Sequence, residues 1–313
     1  MKISFKHTAM SDLKPVQEIT FDMYRKVVAN MTLEGWDEIP HSCMTYRPVI
    51  TKFLAELKKI NEKFPADNKI TINTALLKII SEALKAAPLM NSHLDFDRFT
   101  VTGKLKVYDQ INVTMPVSLP DGAMMSFNVR DVGNKNMSEI KSTIEDIIRR
   151  GNNSDINEVL LDVSLDNTIG KLKKGEVKKT IGRVIGAKFG EGKLHELKGQ
   201  EKKDYYAIPE KDRLTMKDVE QGTITISNVG SLYKNWRGEC TLLEVIPPQT
   251  VAIAISSIHK EPVVNKNDEI TVESVIPLCI AFDHKALDAY DIIPFVKRLD
   301  EIFDDPSNLQ DWV

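Results

Sequence analysis

Few side chains take up or release a proton near neutral pH, and histidine is foremost among them. This chain has six, at positions 7, 41, 93, 195, 259 and 284. His284 has the most informative surroundings, because it ends the apolar run Ala281-Phe282-Asp283 and opens Lys285-Ala286-Leu287-Asp288. A side chain at a strand end is held firmly yet reaches solvent, which suits a general base. Asp288, four residues on, is placed to fix the loop or to tie down a basic partner. A second cluster runs Gly222-Thr223-Ile224-Thr225-Ile226-Ser227-Asn228-Val229-Gly230. A hydroxyl at the end of such a strand can donate to a developing oxyanion. Each cluster also has a plain reading: a surface histidine in one case, a strand closing in a capped turn in the other. No Gly-x-Ser-x-Gly elbow surrounds Ser227, so it is not expected to be an acylated nucleophile.

The elements that must hold these residues follow from periodicity. Val16, Ile19, Met23, Val27 and Met31 predict a helix over 15–33, ahead of Pro40. Residues 41–50 read as a strand. Asn73 is expected to cap a helix striped with Ala75, Leu76, Ile79, Ile80, Ala83, Leu84 and Ala87, which stops at Pro88. Two strands at 110–118 and 123–131 flank the turn signal Leu119-Pro120-Asp121-Gly122, and a helix follows over 138–150. The last third reads mainly as strand, at 222–228, 249–258 and 270–282. A closing helix carries Ile292, Val296, Leu299 and Phe303, with Pro294 tolerable only in its first turn. Helices interleaved with turn-linked strands predict an α/β fold with a mixed sheet.

Length and composition narrow the function classes. The 313 residues suit one elaborated domain, and 42% hydrophobic with 28% charged residues is a soluble globular composition. Forty-two basic against 45 acidic side chains leave a net charge of -3, which argues against a general grip on nucleic acid or anionic lipid. Neither a membrane-spanning run nor a secretory leader is expected. Cys43, Cys240 and Cys279 match neither a disulfide framework nor a metal knuckle, so three buried thiols in a reducing cytoplasm, and no metal, are the expectation. Residues 151–212 read as a lysine-rich insertion, with eleven Lys or Arg against four Asp or Glu over 171–203. That segment is either an arm that attracts a polyanion or a solvated helical insertion.

Taken in order, the motifs resemble the catalytic domain of the dihydrolipoamide acyltransferases of 2-oxo acid dehydrogenase complexes. Gly222 to Asn228, Ile246-Pro247-Pro248-Gln249 and Asp283-His284-Lys285-Ala286-Leu287-Asp288 carry the likeness. So do Met23 to Met31, Ile39-Pro40-His41, the helix at 72–87 with Pro88 to Asn91, and the hairpin at 117–122. The resemblance implies a two-layer α/β sandwich of the chloramphenicol acetyltransferase-like fold, spanning 1–313 as one catalytic domain and assembled as a homotrimer. It implies acyl-CoA as substrate, with no lipoate bound to this chain. The acceptor would be a dihydrolipoamide-like thiol or a small hydroxyl or amine, and a lipoyl-bearing protein could supply it in trans. His284 corresponds to the general base, Ser227 to the oxyanion donor and Asp288 to the acid that orders the site, while His41 is expected to be architectural. Base and oxyanion donor would come from different chains.

Three departures stand beside the likeness. Ala289 and Lys285 occupy positions where the family usually has glycine and arginine, and Ile246 occupies that of an asparagine. They motivate the alternative, a trimeric scaffold or binding protein that has lost turnover. No lipoyl domain precedes the core in this sequence, and the ending Asn308 to Val313 is more polar than the apolar tail of cage-forming relatives.

Overall fold

The computed structural model describes residues 14–118, 124–161, 197–233 and 235–313. The turn expected at 119–122 and most of the lysine-rich run, 171–196, lie outside the described residues. Six strands form the main sheet: β1 (His41–Tyr46), β4 (Val113–Ser118), β5 (Met124–Val129), β6 (Ile224–Asn228), β7 (Val251–Ile255) and β10 (Leu278–Asp283). Their spatial order is β1-β10-β7-β6-β4-β5, parallel at β4–β6 and β6–β7 and antiparallel elsewhere, so the sheet is mixed as expected. Two separate hairpins accompany it, β2 (Ser92–Asp97) with β3 (Thr102–Val107), and β8 (His259–Val264) with β9 (Ile270–Val275).

The register explains the two faces of the sheet. Val113, Ile224, Ile226, Ile253, Ile280 and Phe282 share the face that forms the main core. Helices α1 (Met23–Glu38), α2 (Thr51–Glu62), α3 (Ile72–Leu84) and α4 (Met137–Gly151) precede the last strands. α5 (Gly199–Ala207) and α6 (Met216–Val219) come before β6, and α7 (Ala289–Asp304) closes the chain. The stripes of α2, α3, α4 and α7 enter that core. On the opposite face the alternate residues are small or polar: Cys43, Ala281, Ala252, Thr225, Thr114 and Asn128 form one transverse row. Short side chains there admit Ile39 and Val245, which pack on Ala252 and Ala281 in a second core.

Several expected boundaries move. α1 begins only after Asp22, whose carboxylate accepts from Arg25 N at 2.7 Å, and runs on to Glu38 rather than ending at 33. Thr71, not Asn73, caps α3. Pro294 lies in the second turn of α7, where it costs one intrahelical bond, rather than in the first. The run read as one strand over 270–282 breaks at Ile276-Pro277 into β9 and β10. The thiols are not all buried: Cys43 is exposed, Cys240 intermediate and Cys279 buried. They do converge as free thiols, with Cys43 hydrogen-bonded to Cys279, whose thiol burial pushes up to about 12. Around the described ends of the insertion, the buried Glu158 accepts from Leu197 N at 2.8 Å and from the Tyr206 hydroxyl at 3.1 Å. Val159, Leu160 and Leu214 belong to the main core.

His93 joins the β2–β3 hairpin to the sheet. Its Nε2 lies 3.0 Å from the Gly222 carbonyl, so that nitrogen donates, and Nδ1 accepts from the Tyr108 hydroxyl at 3.2 Å. Burial holds its pKa below the ordinary value, so the folded chain binds fewer protons than the unfolded chain as pH falls through the histidine range. Stability present above an unfolded pKa of about 6.5 is therefore lost on acidification. Between about pH 7.5 and 5, the Tm of wild type should fall more steeply than that of His93→Gln, as followed by circular dichroism. Parallel slopes would remove His93 as the cause.

Candidate active site

Asp283, the last residue of β10, carries the turn that presents His284. Its backbone carbonyl accepts from Ala286 N at 2.9 Å and Leu287 N at 3.1 Å, which closes the turn. Its buried carboxylate accepts from Lys285 N at 2.9 Å and pairs with the Lys285 ammonium at 2.8 Å. That ammonium also donates to the Glu38 carbonyl at 2.7 Å and sits 5.8 Å from the Phe96 ring centroid. His284 N donates to the Pro40 carbonyl at 3.0 Å. Three segments of the chain therefore fix one exposed imidazole.

The ring's own bond defines its chemistry. His284 Nδ1 lies 2.9 Å from the Leu287 carbonyl, which can only accept, so Nδ1 carries the proton in the neutral ring. Nε2 keeps its lone pair. This tautomer is the one a base acting through Nε2 needs. His41 is the contrary case. Its Nε2 accepts from Val245 N at 3.0 Å and its ring stacks on Trp36 at 5.9 Å, so its basic nitrogen clips the 235–249 loop to β1.

Asp288 sits at the N-terminus of α7. Its side chain accepts from Tyr290 N at 2.7 Å while its own N–H donates to Asp291 at 2.9 Å, a reciprocal cap that sets where the helix starts. Ala289 is the first residue of that helix and is not among the described residues with positive φ. The extra methyl there meets no backbone strain. Lys285 keeps the ion pair to Asp283, and the Ile246 backbone carbonyl accepts from Gln221 and from Gln249 N.

Ser227 lies on the small-residue face of β6 and is 9% exposed. Glycines bracket its strand because the backbone on either side packs directly on neighbours. A Cβ on Gly222 would stand 2.3 Å from the Asn112 carbonyl oxygen, and one on Gly230 would stand 2.4 Å from the Ser256 carbonyl group. The buried Gln249 ties the same strand down, accepting from Thr225 Oγ1 at 2.6 Å and donating to the Gly222 carbonyl at 2.8 Å.

One chain does not bring His284 and Ser227 together. Ser227 is opposite Ala254, and Ala254 is opposite Cys279, five residues before His284. At strand rise the two groups are separated by about 17 Å along the sheet. Sequence reasoning proposed His284, Ser227 and Asp288, but it gave no role to Asp283 or Gln249. The signal for Asp283 was the acid directly before His284-Lys285; Gln249 offered none beyond its place after Pro247-Pro248.

The 2-oxoacid dehydrogenases acyltransferase (catalytic domain) family matches residues 14–161 and 198–310. The chain belongs to this acyltransferase family. It is 24% identical over 291 residues to the lipoamide acyltransferase component of the branched-chain alpha-keto acid dehydrogenase complex of Bacillus subtilis (strain 168), covering 92% of this chain and 52% of that protein. It is 23% identical to the dihydrolipoyllysine-residue acetyltransferase component of the pyruvate dehydrogenase complex of Zymomonas mobilis, covering 94% and 51%. The chain thus spans about half the length of the curated relatives it matches. The fold is shared with the solved Azotobacter vinelandii dihydrolipoamide acetyltransferase, at TM-score 0.67 and 16% identity over 98% of this chain and 99% of that one. A probable dihydrolipoamide acetyltransferase of Listeria monocytogenes gives TM-score 0.61 and 19% identity, covering 92% and 94%. The family match breaks off between 161 and 198, the interval whose ends Glu158 and Leu197 hold together. Among the described residues no helix is long and apolar enough to cross a membrane, and no cluster of ligand side chains could hold a metal ion.

Removing Lys285 leaves the buried Asp283 carboxylate without its counter-charge. Lys285→Met should lower unfolding stability by roughly 3 kcal/mol, the lower end for a broken buried pair because the lysine is partly exposed. Denaturant titration reads this, and Lys285→Arg should restore most of it. An unchanged midpoint for Lys285→Met would show that the turn does not depend on this pair.

Proposed function

We propose that the protein transfers an acyl group from acyl-CoA to a thiol of the dihydrolipoamide kind, with His284 as general base. The observation that carries the reading is the locked Nδ1–H of His284, which leaves Nε2 free at an exposed and rigidly held position. Nε2 takes the proton from the acceptor thiol, and the thiolate sulfur attacks the thioester carbonyl carbon. The resulting oxyanion receives a hydrogen bond from the Ser227 hydroxyl of a neighbouring copy. Collapse of the tetrahedral species breaks the bond to the CoA sulfur, which regains the proton from the imidazolium. Coenzyme A enters and leaves as substrate and product, and donor and acceptor meet in one ternary complex.

The relatives support this assignment. For the Azotobacter vinelandii enzyme, a serine, a histidine and an asparagine four residues after it are investigated for roles in the catalytic mechanism. Here Ser227, His284 and Asp288 stand in the same order, with Asp288 four residues after His284. The separation of base and hydroxyl within one chain favours a site shared between copies, and a homotrimer is the assembly we assign. Two of the three departures that motivate the scaffold alternative are accommodated here, since Ala289 is unstrained and Lys285 pairs with Asp283.

His284→Ala should lower acyl-transfer turnover by about a hundredfold or more, within the ~10²–10⁴ of general-base catalysis. Ser227→Ala should cost about 2.7–4 kcal/mol in the barrier, as at other oxyanion sites. Release of free CoA thiol from acetyl-CoA with dihydrolipoamide present measures both; near-normal turnover in His284→Ala would exclude the assigned base. The shared site has its own test. Co-refolding the two inactive variants should regenerate roughly a quarter of wild-type turnover, because randomly mixed contacts recombine an intact histidine with an intact serine. No recovery would place both groups in one chain's site.

A further inference from the structure

The cysteines at 43, 240 and 279 are distant in sequence, and the sheet register brings two of them into contact. Cys43 on β1 is opposite Ala281, and Cys279 on β10 is opposite Thr45, so the two thiols are diagonal neighbours on the small-residue face. Cys279 donates its S–H to the Cys43 sulfur, a bond that favours the thiolate of Cys43 and disfavours that of Cys279. Cys43 is exposed while Cys279 is buried. Cysteine is among the residue types most often fully buried, so an exposed thiol bonded to a buried one is not the packing of small hydrophobes. Cys240 is committed elsewhere. Its S–H donates to the Leu242 carbonyl at 3.2 Å, and its N–H donates to Ser256 Oγ at 2.9 Å.

We propose that Cys43 and Cys279 form an oxidisable dithiol site whose reaction partner is a hydroperoxide. Cys43 meets the oxidant because it alone of the two reaches solvent. Its thiolate sulfur attacks a peroxide oxygen and the O–O bond breaks. The departing alkoxide takes up the thiol proton as an alcohol, or as water from hydrogen peroxide, and Cys43 becomes a sulfenic acid. The Cys279 sulfur then attacks the Cys43 sulfur, the S–O bond breaks, and hydroxide leaves as water with the Cys279 proton. A backbone hydrogen bond at Leu243 favours the Cys279 thiolate that this second step needs. Overall, two thiols give up two electrons and two protons, and a disulfide joins β1 to β10. Diagonal neighbours stand farther apart than directly opposite ones, so this bond forms under strain and is open to reduction by thiols. Burial holds Cys43 above the ordinary thiol range despite the Cys279 bond, so oxidation should quicken by about tenfold per pH unit on the alkaline side of neutrality.

The test uses the full chain with hydrogen peroxide as the probe. Remaining thiols are alkylated after denaturation, and the products are mapped by peptide mass spectrometry. Wild type should lose two of its three thiols, with the peptides bearing Cys43 and Cys279 joined, and dithiothreitol should restore both. Cys279→Ser should stop at a Cys43 sulfenic acid that dimedone traps. Cys43→Ser should slow the loss of the Cys279 thiol by about tenfold or more, because that thiol is shielded. Cys240→Ser should give the same joined peptides as wild type. The wild-type map decides the matter even where a variant folds poorly. Oxidation of Cys43 with the Cys279 thiol left intact, a bond to Cys240, or a Cys43–Cys43 bond between chains would each overturn the site. None of these readouts depends on acyl transfer, so failure of that reading would leave the dithiol site standing.

Discussion

An imidazole that donates through Nδ1 to a backbone carbonyl has one lone pair left, and the acyl transfer we propose depends on where that lone pair is held. The Leu287 carbonyl fixes the tautomer, but Leu287 is in place only because the turn closes on the Asp283 carbonyl. Asp283 in turn is a buried carboxylate at the end of a central strand, and Lys285 supplies its counter-charge while reaching Glu38 at the end of α1. The imidazole is thus positioned by backbone atoms and one ion pair. Among the described residues, it is the Leu287 carbonyl and not a carboxylate that Nδ1 meets, unlike the histidine of a hydrolase triad. A backbone carbonyl, rather than a carboxylate, is what orients the ring through Nδ1.

The sheet's two faces divide the remaining work. Bulky aliphatic residues on one face meet four helices and hold the strands in register. The other face is cut down to Ala252, Ala254, Cys279, Ala281, Thr225 and Ser227, and this lets a loop bearing Val245 lie close against it. Ser227 belongs to that second face, which explains how a hydroxyl can be nine-tenths buried without entering the aliphatic core. Gly222 and Gly230 extend the same logic, because close backbone approach at both ends leaves the strand little freedom to shift.

Much of this was legible in residue order where one face is buried. The strands at 113–118 and 124–129, the box-capped helix at 137–151 and the stripe of α3 all follow from alternation or helical spacing. The reading failed where burial does not set the pattern. Val16 and Ile19 have helical spacing but lie exposed ahead of the Asp22 cap, so their periodicity is not that of a packed face. The β2–β3 hairpin mixes Asp and Lys with aromatics because it stands largely in solvent, and its alternation has no core to point to. α2 was passed over although Phe53, Leu57 and Ile60 carry its face, because the segment before it reads as a longer strand than the one that forms.

The candidate site was legible as residue types and illegible as a place. His284, Ser227 and Asp288 each stand at an element boundary, which motif order can reveal; the direction of each strand cannot be read the same way. β6 runs parallel to β7 and therefore antiparallel to β10, so the serine points its end of the sheet away from the histidine's. Had β6 been reversed, one chain would have brought the two close. With the observed topology, any reaction needing both groups needs two copies, and residues far from either group in sequence then bear on activity.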